Sequence, residues 1–441
     1  MEDRTVPRRL PGLPVKSVRV EVVAGPDRGR QLTFQDTALT IGTAQGNELV
    51  LTDPTVSRYH LELERAADRI LLRDLGSTNG TSVGGVSFRD AAVSIPPGTT
   101  VTVGDSSLRL EDDVVVMVDH AAPDVLGGLR GRSVAARRLF SAMMRVASSN
   151  VPVLLYGESG TGKELIARAL HDLGGAGRPL STVDCAALVP SLFASELFGH
   201  ERGAFTGAER RHEGAFVRAN GGTVFLDEIG ELSAELQSSL LGVVERRRVR
   251  RVGGSEEIPV DVRIISATHR DLRSEVNAGR FRLDLFYRLA VVLIRVPPLR
   301  ERSEDIPLLV EHFLREAGYD GPSESVFPPE EMSRLSAHDW PGNIRELRNV
   351  VEAALVLGAD QSLAEIAGGA GQVQGFSNDE PFASLYGLTY KDARRSVLDR
   401  FEHDYLKNLL ANTGGNVRQA ARDAKMDRSY LIDLLKRHGL P

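Results

Sequence analysis

The chain has 441 residues, of which 41% are apolar and 26% charged, and its formal net charge is −6. That length exceeds what one hydrophobic core usually supports and favours two or three domains, while the slightly acidic balance excludes a protein that coats nucleic acid or membrane along its whole surface. A single cysteine, Cys185, excludes an intrachain disulfide and a thiolate cluster, and reads as a small buried side chain. The opening MEDRTVPRRL lacks the layout of a signal peptide, and the apolar run 114–118 is far too short to span a bilayer, so the expectation is a soluble, cytoplasmic protein with no membrane partner.

In chain order, residues 1–17 read as a tail. Over 18–112, short β-branched runs (VRVEVV, ALTI, ELVL, HLELE, RILLRDL, TVTV, SLRL) alternate with Gly, Pro, Asn and Asp turns, which predicts an all-β sandwich. Residues 113–128 read as a linker. Apolar strands (VPVLLYG, TVFLDE, VRIISAT) then alternate with helical patterns, predicting an α/β domain with a largely parallel sheet over 129–296 and an α-helical lid over 297–358. Gly, Ser, Ala and Gln accumulate after that, as in GGAGQVQG, and 359–390 read as a second linker. The last segment, 391–441, is helical throughout, with a break at Gly414 and Gly415 and a stop at Gly439.

The run 151–156 is followed by Gly157, Glu158, Ser159, Gly160, Thr161, Gly162 and Lys163, and then by the helical pattern ELIARALHDL, the order of a Walker A phosphate loop. The glycines let backbone N–H groups close around phosphates at a helix N-terminus, and Lys163 adds a point charge at the β- and γ-oxygens. Glu164 stands where phosphate loops in general carry a magnesium-coordinating Ser or Thr. Downstream, GGTVFLDE is an apolar strand ending in Asp227 and Glu228, the Walker B pattern: Asp227 would hold Mg²⁺ and Glu228 would polarise the attacking water. Two acids at such a place also commonly cap the next helix. The Walker A loop upstream favours ATP chemistry.

From about 129 to 357 the chain resembles the bacterial enhancer-binding proteins, the sigma-54-dependent AAA+ activators. The most specific shared motif is Gly203, Ala204, Phe205, Thr206, Gly207 and Ala208 within ELFGHERGAFTGA, which the resemblance makes the sigma-54-contacting loop. As a mobile tip, it has Gly203 and Gly207 for left-handed turns, and Phe205 and Thr206 as an apolar plug and a hydrogen-bonding group. By the same resemblance, Thr268 and His269 occupy the sensor I turn that reads the γ-phosphate. Arg282 and Arg288 are arginine fingers reaching the nucleotide of the neighbouring subunit, Arg345 in WPGNIREL is the sensor II residue over the nucleotide, and Glu164 is usual. The implied machine is a homo-oligomeric ring, expected to be a hexamer, that binds ATP and Mg²⁺ and remodels the sigma-54 RNA polymerase holoenzyme. One departure is Asp184 in STVDCAAL, where the family has an Asn that pairs with the catalytic glutamate until sigma-54 is engaged; a carboxylate facing Glu228 would share a proton or repel it. The arginine run 246–251 reads as a solvated or pore-facing hairpin rather than a DNA patch. A different AAA+ remodelling ATPase is the alternative, and it would lack the 203–208 motif.

The β-domain resembles a forkhead-associated module through Ile41-Gly42, Asn47, Ser57-Arg-Tyr-His60 and the stretch from Asp74 to Thr81. This implies recognition of a phosphothreonine-containing protein or segment by Ser57, Arg58, Thr78 and Asn79, with His60 as buried scaffold. Thr43 stands where those modules usually carry a phosphate-holding arginine, so an altered ligand, with regulation by protein contacts, stands beside that reading. The C-terminal segment resembles a Fis-type helix-turn-helix whose second and third helices are capped by Asn416 and Asp427. Its third helix would enter the major groove of upstream, enhancer-like DNA, with Arg418, Arg428, Ser429, Tyr430 and Lys436 as contacts. From Gly414 onward there are six Lys or Arg against three acids, a local basic excess in an acidic chain, which favours DNA over a plain three-helix packing module.

Overall fold

The computed structural model describes residues 13–34, 38–66, 69–118, 123–186, 190–205 and 207–357, with six single positions between 406 and 435. The chain divides into two compact units, Met1–Ala359 and Asp360–Pro441. In the second, Leu406, Leu409, Val417, Gln419 and Leu435 are helical, and Leu406 and Leu435 are buried. Arg418, Arg428, Ser429, Tyr430 and Lys436 lie outside the described residues.

The first unit opens with two facing β-sheets. One is built around the antiparallel strands Leu13–Ala24 and Ser106–Val118, the other around Leu61–Ala66 flanked by Ala38–Gly42 and Arg69–Asp74. Alternation puts every second residue inside: Val18, Val20 and Val22 meet Leu39, Ile41, Leu61 and Leu63 in one core. The sandwich extends beyond the expected 18–112, because Leu13 to Lys16 pair with residues 115–118. The run 114–118 does not alternate and therefore reads as linker in sequence; pairing with a distant segment makes it strand.

The following domain has a five-stranded parallel sheet in the order Leu180–Asp184, Thr223–Asp227, Arg263–Thr268, Val153–Tyr156, Val292–Arg295. Its central strand Arg263–Thr268 is buried at all six positions, as helices on both faces require. The strands run the same way, so the loops after Tyr156, Asp227 and Thr268 emerge along one edge. Helices Ile306–Glu316, Pro329–Ala337 and Asn343–Leu357 form the lid. Asp305 fastens it to the sheet domain, accepting hydrogen bonds from the Arg132 and Ser133 N–H groups and the Ser133 hydroxyl.

The sandwich is docked on the sheet domain. Tyr59 and Leu75, both fully buried, belong to the sheet domain's apolar cluster rather than to the sandwich core. Asn277 donates to the Tyr59 and Leu75 carbonyls, the latter at 2.9 Å, and the Tyr59 ring meets Phe286 edge-on at 5.6 Å. Arg273 pairs with Glu62 at 3.2 Å, with both side chains about nine-tenths buried. Removing one member of such a pair strands the other charge at a cost of about 3–5 kcal/mol, so the pair sets register more than it adds net attraction.

Candidate functional site

The Walker A loop closes as its glycines permit. Gly160 and Gly162 have φ of 76° and 96°, a region costly for other residues. A Cβ on Gly160 would also lie 2.2 Å from the Gly342 carbonyl, so the lid's approach to the loop independently demands glycine there. Lys163 begins the helix Lys163–Gly175, and its ammonium donates to the Gly157 and Glu158 carbonyls at 2.9 and 3.1 Å. Burial depresses the Lys163 pKa, against the opposing charges of Glu228 and Asp227.

Thr223–Asp227 delivers both acids to the same edge. Burial, and then the neighbouring Glu228 charge, hold the Asp227 carboxyl above its ordinary range. A half-buried carboxylate beside the phosphate loop and next to a second acid fits a divalent cation beside the phosphates. Glu228 has φ 50° and places Oε1 3.9 Å from Lys163 Nζ. Its Oε2 lies 2.6 Å from His269 Nδ1 and accepts the His269 N–H at 3.2 Å. Asp184 is in register with Asp227, but its Oδ1 accepts the Ala186 N–H at 2.8 Å, so the pairing of Glu228 falls to His269. Thr268 is fully buried, and its carbonyl accepts the Gly157 N–H. Burial raises the Cys185 thiol pKa, in keeping with an inert core residue.

The lid reaches the loop through several side chains. Arg345 donates to the Ser159 hydroxyl at 3.2 Å, which brings the lid helix to the phosphate loop. Three further groups escape sequence reading. Asn343, fully buried at φ 54°, donates to Glu158 and to the Ser159 carbonyl while accepting the Leu299 N–H. Arg300 forms a two-pronged pair with Glu158, and the buried Arg302 donates to the Thr161 carbonyl, its pKa pushed down to about 10 by burial. WPGN signals a helix start, and Asn tolerates φ > 0, but the loop partners of these residues lie more than a hundred positions away.

Arg282 and Arg288 stand apart from this cleft, on the helix Leu283–Leu289 and its N-cap. Arg282 pairs with Asp284 and donates to Ser238, and Arg288 pairs with Glu245 at 3.4 Å, both guanidiniums being exposed. The same helix carries Phe286, the partner of Tyr59.

In the 203–208 segment, Gly203 and Gly207 take φ of 83° and 102°, and the Gly203 N–H donates to Ala208. Thr206 lies outside the described residues. Phe205 packs edge-on against His200 at 4.9 Å and is half-buried. The arginine run forms the hairpin Arg248–Arg250 with Glu257–Pro259, its cations paired with Glu257, Glu256 and Glu201.

On the sandwich, the Thr78 N–H donates to the Ser57 hydroxyl and Asn79 to the Thr55 carbonyl, which gathers Ser57, Thr78 and Asn79 at one end, with Arg58 exposed beside them. His60 is fully buried, accepting the Ser57 N–H and donating to the Gly80 carbonyl, the scaffold role expected of it.

A parallel sheet, a glycine loop before a helix, paired acids on a neighbouring strand and a lid over the loop define an AAA+ P-loop ATPase. Residues 129–295 match the family described as Sigma-54 interaction domain, 300–366 the AAA+ ATPase lid domain, and 21–113 the Inner membrane component of T3SS, cytoplasmic domain. The chain is similar to transcriptional regulatory protein ZraR of Escherichia coli K12, 48% identical over 327 residues, covering 73% of this chain and 71% of that protein. It is also similar to NtrC of Azospirillum brasilense, 44% identical over 326 residues, covering 69% and 68%. The crystal structure of NtrX from Brucella abortus in complex with ATP aligns with a TM-score of 0.51 at 37% identity, covering 72% of this chain and 71% of that one. The chain belongs to the sigma-54-dependent transcriptional activators, and it is an ATPase.

Proposed function

We propose that this activator binds upstream DNA through its C-terminal segment, assembles as a ring and couples ATP hydrolysis to movement of the 203–208 loop against sigma-54, opening the polymerase's closed complex. The observation that carries the reading is the convergence of Lys163, Asp227, Glu228 and Thr268 on one sheet edge, with Arg345 closing from the lid. Lys163 and the loop N–H groups hold the phosphates, and Glu228 takes a proton from the attacking water. Mg²⁺ held at Asp227 would neutralise charge building on the transferred phosphoryl group. Arg282 and Arg288 act on the neighbouring subunit's nucleotide, which makes assembly a condition of activity. This work is done on DNA and polymerase in the bacterial cytoplasm; among the described residues, no helix is long and apolar enough to cross a membrane. The testing experiment is transcription with purified sigma-54 polymerase. Thr206→Ala should abolish open-complex formation while ATP turnover stays measurable; normal activation by that variant sinks the loop assignment.

The sandwich regulates the ATPase in this reading, through recognition of a phosphothreonine segment by Ser57, Arg58, Thr78 and Asn79. Support comes from its docking: Tyr59 follows two of those residues and packs on the helix bearing both fingers. Asn277→Ala, which removes the donors to Tyr59 and Leu75, should raise basal ATP turnover about five-fold or more, the scale of a typical coupling energy. Unchanged turnover would show that the contact only holds the domains together. Thr43 favours a second reading, an altered ligand acting by protein contacts. Calorimetry with phosphothreonine peptides separates the two, since no binding above the unphosphorylated control supports the second.

A further inference from the structure

We propose that the loop end of the sandwich is one surface with two mutually exclusive occupants, the chain's own finger helix Leu283–Leu289 and a phosphothreonine segment, so that docking and ligand displace each other. The inference rests on the reading of Ser57, Arg58, Thr78 and Asn79 as the phosphothreonine contacts. Three loops form this end, 43–47, 57–60 and 75–80, and each gives a side chain to the ATPase: Tyr59 and Leu75 lie in the apolar cluster of the sheet domain, and Ala44 packs against it. Beside them stand the ligand residues, with Arg58, Thr78 and Asn79 still exposed. A Cβ on Gly46 would lie 3.0 Å from the Tyr287 ring, so the loop 43–47 abuts the finger helix itself.

The three loops are stitched into one body. The Thr43 and Ala44 N–H groups donate to the Ser57 and Arg58 carbonyls, both at 3.0 Å, and the Asn47 amide donates to the Arg58 carbonyl at 2.8 Å. The Leu75 N–H donates to the His60 carbonyl at 3.0 Å, and the Thr78 N–H to the Ser57 hydroxyl at 2.8 Å. Tyr59, directly after Arg58, is pinned from the other side: Asn277 donates to its carbonyl, and the Arg273 guanidinium lies 5.9 Å from its ring centre. A bare phosphate reaches Arg58 and Thr78 with the docking intact. A segment does not, because extended chain advances about 3.3 Å per residue and carries its flanking residues across the end that Phe286 and Tyr287 cover. Such coupling is reciprocal, so the affinity that docking takes from the ligand, the ligand takes from docking.

The test uses the full-length protein carrying Gly46→Cys and Tyr287→Cys, the second change removing the ring that a side chain at 46 would meet. The native chain has a single cysteine, Cys185, and it is buried, so a short thiol cross-linker cleavable by reductant acts only at the new pair. The probe is a library of short peptides with a fixed central phosphothreonine, and its unphosphorylated counterpart is the control. Cleaving the cross-link should raise peptide affinity about ten-fold or more, the scale of a typical coupling, and Asn277→Ala without any cross-link should bind more tightly than the native protein. Arg58→Ala in the cleaved form should abolish the phosphate-dependent part of the binding. Equal affinity in the locked and cleaved forms overturns the exclusion and leaves the reading of the four contacts standing. Failure of the two thiols to cross-link overturns it as well, because the loop and the finger helix are then not apposed. If the cleaved form binds phosphorylated peptides no better than the control, the phosphothreonine reading itself falls, and the exclusion falls with it.

Discussion

Glu228→Gln should leave ATP bound and almost unhydrolysed. The amide has the shape of the carboxylate and still offers an oxygen to His269, whose contacts with Oε2 are at 2.6 and 3.2 Å. It cannot take a proton from water. The loop, Lys163 and Arg345 are untouched, so nucleotide affinity is retained while turnover falls by about 10²–10⁴-fold, the usual worth of a positioned general base. Measuring hydrolysis together with nucleotide retention separates this outcome from a folding defect, which would lose both. Turnover at the native rate would end the catalytic assignment of Glu228.

The second large effect is expected at the arginine fingers. Arg288→Ala or Arg282→Ala should reduce turnover by about 10³–10⁵-fold, as loss of a charge that stabilises the transferring phosphoryl group does elsewhere. Both guanidiniums are exposed, and their pairs with Glu245 and Asp284 contribute little to stability, so the variants should fold normally. The decisive measurement is mixing. An Arg288→Ala subunit has an intact loop, and a Lys163→Ala subunit has an intact finger. Each preparation alone is inactive, and together they should recover part of the activity at interfaces where an intact finger faces an intact loop. A mixture that stays inactive would place Arg288 in a role within its own subunit.

The phosphate site was legible in sequence because its parts are local. Strand, glycine turn and helix are contiguous around residues 157–163, and the paired acids end an apolar run. The sandwich was legible for the same reason, through alternation. The strand end at 114–118 was not, because its pattern is uniform and only pairing with residues 13–16 assigns it. The arginine run 246–251 reads correctly as a hairpin, yet which acids neutralise it depends on Glu201 and Glu257 arriving from either side. Phe205, expected as the apolar plug of a mobile tip, packs edge-on against His200, a contact that the motif does not encode.

By itself the sequence determined the class of chemistry and the order of β-sandwich, parallel-sheet domain and lid, since short-range pattern and motif spacing carry that information. Only the tertiary structure decided what the site residues are bound to. Glu228 is held by His269, the loop is locked to the lid by Asn343 and Arg302, and Tyr59 is buried in the ATPase rather than in its own sandwich. Each of these pairings joins segments far apart in the chain, and its partner is selected by shape and desolvation across a packed interface. No local pattern records that selection.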